Sequence, residues 1–169
     1  MSQSAQELIA EAGERGLAAS ALACLDRCLP LLGPVPDDLL RPLWQSVAEG
    51  GAGWADRLAE VRGALADTDD AEFAVLVRKM LGAAPSEWDG AALPAWAEAC
   101  SVTALELHEQ LGGGPLVEGE ERRQVQILEF LADTPSAGPG AAGLRPVLDV
   151  SAEGRRVLRA VVSRRERGA

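Results

Sequence analysis

Apolar residues recur at intervals of three and four along almost the whole chain, the rhythm of one buried helical face, and no segment shows the two-residue alternation of a strand. The longest run is Ala18, Ala21, Leu22, Leu25, Cys28, Leu29 and Leu32. Shorter stripes follow the same spacing: Ala5, Leu8, Ile9 and Ala12; Leu39, Leu40, Leu43, Trp44 and Val47; Trp54, Leu58, Val61 and Leu65; Phe73, Leu76, Val77, Met80 and Leu81. Trp96, Cys100, Thr103, Ala104, Leu107 and Leu111 form a longer one. Val125, Leu128, Leu131 and Ala132 form another, widened by Ile127 and Phe130, and Val157, Leu158, Val161 and Val162 form the last. Because 47% of the chain is hydrophobic but only 4% aromatic, the apolar content is largely Ala and Leu, which favour helices over sheets.

Breaks between the stripes carry helix punctuation. Gly13 and Gly16 close the first, Gly33-Pro34-Val35-Pro36 the second, Gly50-Gly51-Ala52-Gly53 the third and Gly112-Gly113-Gly114 the long one. Asp37 and Asp38 are expected to cap the helix through Trp44, which Pro42 delays or bends. Asp69-Asp70-Ala71-Glu72 has the form of a capping box, Pro94 suits a first turn, and Ser151 is expected to cap the last helix. Leu144 to Val150 reads equally as a short helix or an extended segment. The fold expected is all-α, a compact antiparallel bundle of about seven or eight helices. The expected division is an acidic bundle over residues 1–133, a Pro/Gly/Ala linker over 134–143, and a basic C-terminal helix over 144–169 that docks on the bundle or, alternatively, binds an acidic partner or membrane surface.

Charge divides the chain at that linker. Residues 1–144 hold 23 Asp/Glu and 9 Lys/Arg, net −14, while residues 145–169 hold 3 and 7, net +4. The acidic body disfavours binding nucleic acid through its phosphates or docking on an anionic membrane, and it favours a basic protein partner. The first residues have neither the basic nor the apolar region of a secretory signal, and no apolar stretch approaches the roughly 20 residues of a membrane span. Three cysteines, an odd number, suit free thiols in a reducing cytoplasm.

Residues able to do chemistry are few: one His, one Lys and no Tyr. Cys24 and Cys28 share one side of a helix at a spacing that can hold zinc. The remaining candidates, Cys100 and His108, stand about 80° apart around another helix and do not converge. The cysteines are therefore read as small apolar core residues, and no metal or cofactor is expected. His108, between Leu107 and Glu109, is read as a surface residue beside the apolar face rather than a general base. Two carboxylate clusters, Asp67, Asp69, Asp70 with Glu72, and Glu118, Glu120, Glu121, stand at helix starts where the dipole accounts for them. They are nonetheless candidate partner contacts. Trp44, Trp54 and Trp96 fall on apolar stripes, whereas Trp88 sits in a loop between Glu87 and Asp89 and is a candidate anchor for a partner or a cover for the core.

Three stretches carry a resemblance. Cys24-Leu25-Asp26-Arg27-Cys28-Leu29-Pro30 matches a Cys-x-x-Arg-x-Leu-Pro pattern, and Leu43-Trp44-Gln45-Ser46-Val47-Ala48-Glu49-Gly50 matches Leu-Trp-x-x-Leu-x-x-Gly. Pro115-Leu116-Val117 precedes a Glu121-Arg122-Arg123-Gln124 helix. In this order, over about residues 17–132, they resemble the bacterial domain-of-unknown-function family numbered 416 and similar helical immunity-type proteins. Leu31-Leu32-Gly33 stands where that family has an aromatic residue. The resemblance implies a helical bundle and transfers no catalytic residue. The function expected is a non-enzymatic protein-binding domain of immunity or regulatory type; the alternative is a bundle that binds a small ligand or metal and has an enzymatic activity.

Overall fold

A computed structural model describes residues 3–66, 73–132 and 144–168. Eight α-helices are found among them: Ala5–Glu11 (α1), Glu14–Arg27 (α2), Arg41–Ala48 (α3), Trp54–Leu65 (α4), Ala74–Gly82 (α5), Leu93–Leu111 (α6), Pro115–Ala132 (α7) and Arg145–Arg167 (α8). A 3-10 turn, Leu29–Leu32, continues α2 past Cys28, and no strand occurs among the described residues. The chain is thus an all-helical bundle.

Helix α2 is the axis of the fold. Every residue from Leu17 to Arg27 is buried, so α2 has no solvent face along that stretch. Ala18, Ala19, Ala21 and Ala23 present small side chains that let neighbours approach closely. Its most extensive packing is on α6, followed by α8 and α7. Gly16, expected to lie in a break, is inside α2, which already begins at Glu14.

The tryptophans lock the α3–α6 side. Trp54 meets Trp96 edge-on at 5.6 Å between ring centroids and donates its indole N–H to Pro85 O at 2.8 Å. Trp96 donates to Met80 O at 2.9 Å, and Trp44 to Asp26 Oδ2 at 2.8 Å. All three lie in the core with their polar edges satisfied, as buried indoles require.

Two expected caps are not formed. The residues from 37 to 40 make turns instead of a capped helix start, and α3 begins at Arg41 with Pro42 in its first turn. Asp37 pairs with Arg159 of α8 at 2.5 Å instead. Ser151 is not a cap, because Leu144–Val150 is helical from Arg145 onward and Ser151 lies mid-helix, donating to Val147 O at 2.9 Å. The buried stripe of α8 is Val147, Ser151, Gly154, Leu158 and Val161. It keeps the three-and-four spacing, but its central members are a serine and a glycine. The capping box at Asp69 to Glu72 and the linker at 134–143 lie outside the described residues.

Candidate functional site

A cluster of buried ionisable groups lies inside the bundle, where α2, α6 and α7 meet. Arg27 grips Glu120 in a fork: Nη2 donates to Oε1 at 2.6 Å and Nε to Oε2 at 2.8 Å. Arg27 is 1% exposed and Glu120 not at all. Burial would favour the neutral form of each, but the mutual attraction prevails, raising the guanidinium pKa and lowering that of the carboxyl. Arg27 Nη2 also donates to Cys24 Sγ at 3.4 Å. Among the described residues, Nη1 has no hydrogen-bond partner.

His108 joins this centre rather than the surface. It is 1% exposed, its Nδ1 is 2.6 Å from Ala104 O, and its Nε2 is 3.7 Å from Glu120 Oε2. Burial depresses its pKa against the pull of Glu120 and the Ala104 carbonyl, so the ring is held neutral, with Nδ1–H donating. Gln124 Nε2 donates to Glu120 Oε1 at 3.2 Å, Ser101 Oγ to Gln124 Oε1 at 2.6 Å, and Gln6 Nε2 to Ser101 Oγ at 3.3 Å. This chain of bonds carries the network from the core out to exposed Gln6 on α1.

The helix α8 closes the other side. Arg155 is bonded to the buried Asp26, which also receives Trp44 N–H, and Arg123 faces Glu153 at 3.6 Å. Gly154 lies against the stem of Arg27, leaving no room for a Cβ. The basic helix therefore packs on the acidic body through Asp26, Asp37 and the Arg27 stem.

Cys24, Cys28 and Cys100 are all buried free thiols. Burial pushes the Cys24 thiol up to about 12 and raises the other two well above their ordinary value, so none is poised as a thiolate. No group of three His, Cys, Asp or Glu among the described residues is arranged to hold a metal ion. No described helix is long and apolar enough to cross a membrane.

Two surface grooves flank α1. One, of about 580 Å³, runs between α1, α6 and α7 and is lined by Glu7, Glu118, Glu121 and Glu129 over Leu105 and Val125, with Arg122 as its one basic side chain among the described residues. The other, of about 610 Å³, is walled by Trp88 and floored by Leu8, Ala12, Leu128 and Leu131. Neither is lined by Arg27, His108 or Glu120. The polar centre, buried between α2, α6 and α7, braces these helices.

The candidates from sequence separate accordingly. Glu118 and Glu121 are exposed and come together in the first groove, while Glu120 is sealed on Arg27 and is no surface contact. Asp67, Asp69 and Asp70 lie outside the described residues. Trp88 is half-buried: it meets Trp54 edge-on at 5.5 Å and donates to Glu14 Oε1 at 2.8 Å. The dipole explanation suits Glu118, in the first turn of α7, but not Glu129, near the C-terminal end of that helix. Glu106 and Glu109 likewise stand near the C-terminal end of α6, where carboxylates oppose the dipole. Sequence reasoning missed Glu7 and Glu129 as groove residues; their positions against the α7 spacing become legible only once α1 is laid beside α7.

Comparison with family models, curated proteins and solved structures finds no match to this chain.

Proposed function

We propose that this chain is a non-enzymatic protein-binding domain that receives a basic segment of another protein in the groove between α1, α6 and α7. The observation that carries the proposal is the convergence there of Glu7, Glu118, Glu121 and Glu129 on an apolar floor, with one arginine opposing them. Glu129, near the C-terminal end of α7, gains nothing from the helix dipole, unlike Glu7 and Glu118 in the first turns of α1 and α7, so its placement is accounted for better by an external cation than by folding. Such a field speeds association with a basic surface and rejects acidic ones.

An immunity-type or regulatory role, and kinship with family 416, are part of this proposal and rest on the three motif stretches. Within the fold, Asp26 and Arg27 of the first motif and Trp44 of the second form the braces described above, so they support the architecture rather than the binding face.

The test is capture from the native host with the wild-type chain and with a Glu7→Gln, Glu118→Gln, Glu121→Gln, Glu129→Gln variant side by side. A basic protein retained by the wild type and lost by the variant supports the reading. Equal retention by both removes the groove from it.

A further inference from the structure

We infer that the cleft beside Trp88 is a binding site for a small organic ammonium ion carried on an apolar body. Its volume of about 610 Å³ lies within the range of small-molecule pockets, roughly 300–1,000 Å³. Leu8, Ala12, Leu128 and Leu131 provide an apolar floor, and Gly13 and Gly50 on its rim are open: a Cβ at either meets nothing within 4 Å.

The aromatic wall is fixed before any ligand arrives. Trp88 stands edge-on to Trp54, its ring occupies the space a Cβ on Gly51 would need, and its N–H is bonded to Glu14. That bond also aims the carboxylate. Glu14 Oε1 accepts the hydrogen bond from the indole N–H while Oε2 lies over Gly90, where a Cβ would collide with it. An oriented carboxylate beside a fixed indole is the pairing that recognises an ammonium group, by a charge-assisted hydrogen bond and by the ring face. Preformed walls also spare the ligand the cost of ordering them.

Charge decides the sign of the ligand. Among the described residues, Glu11 and Glu14 line the cleft with Arg15 as the single basic side chain, so a carboxylate of the same size and shape meets net repulsion. The cleft shares no lining residue with the acidic groove, so this site stands or falls independently of the protein partner proposed above.

Calorimetric titration of the full chain with phenethylammonium, and in parallel with the size-matched 3-phenylpropionate, tests the site. Saturable one-to-one binding of the amine, with the acid at least about tenfold weaker, is expected. Glu14→Gln should weaken the amine about tenfold. Gly16→Leu should abolish binding while leaving the helical spectrum intact, because a Cβ there makes only ordinary contacts with Ala12 and Leu131 and the longer chain extends into the cleft. No amine binding, equal binding of amine and acid, or indifference to both substitutions would overturn the assignment.

Discussion

Arg27 of α2 and Gly154 of α8 are in direct contact: the Cγ and Cδ of the arginine occupy the space in which a Cβ on the glycine would lie. The contact joins the acidic body to the basic helix at the point where the body's buried ion pair is held. Gly154→Ala should therefore push α8 outward rather than simply favour its helix, destabilising the chain by about 1–3 kcal/mol despite alanine's better propensity. Denaturant unfolding with limited proteolysis of α8 reads both effects. An alanine variant at least as stable as wild type would remove the close approach from the account.

The Arg27–Glu120 pair braces the bundle, and its two halves are worth more together than apart. Glu120→Leu or Arg27→Met alone leaves an uncompensated buried charge and should cost about 3–5 kcal/mol. The double replacement should recover much of that loss, because it removes both charges from a dry site. Additive losses in the double variant, measured as a thermodynamic cycle, would contradict the pairing.

Acid should weaken the fold in two stages. His108 has a folded pKa depressed below its ordinary 6.5, so the unfolded chain takes up that proton first. The stability due to neutral His108 is complete above pH 6.5 and is lost as pH falls through the depressed folded value. Glu120, lowered from 4.5, adds a second loss beginning below that pH. Melting temperature followed from pH 7.5 downward should decline before the carboxylate range is reached, and His108→Gln should remove that first decline alone. A flat profile from pH 7 to 5 in the wild type would contradict the burial of a neutral ring.

Gly51 has a φ of +106°, in the left-handed region, and Trp88 covers its α-carbon. Gly51→Ala should both strain the turn and lift the indole, costing about 1–3 kcal/mol and moving Trp88 toward solvent. Acrylamide quenching of tryptophan fluorescence should rise in this variant. Unchanged quenching would mean that the ring is not seated there.

Sequence periodicity located the helices because most buried positions are Leu, Val, Ala or Trp. It failed where the buried face is made of other residues. The inner stripe of α8 passes through Ser151 and Gly154, so an apolar count begins the helix too late and gives Ser151 a capping role. On α7, Glu120, Arg123 and Gln124 face inward while Phe130 is 39% exposed, so an apolar count rotates the face away from its true direction. Asp26 and Arg27 look like the end of an apolar run, yet both are buried, because their partners Trp44, Arg155 and Glu120 are 18, 129 and 93 residues away. Pairings at such separations leave no local signal. His108 belongs to the same class: its partner Glu120 sits on the next helix.

The groove of Glu7, Glu118, Glu121 and Glu129 is the centre of the functional proposal. Hydrogen–deuterium exchange of the chain, alone and saturated with the protein it captures, tests it most directly. The account predicts new protection confined to α1, the second half of α6 and α7, with an association rate that falls steeply as salt is raised. Protection on α3 to α5 or α8 instead, or an association rate indifferent to salt, would contradict it.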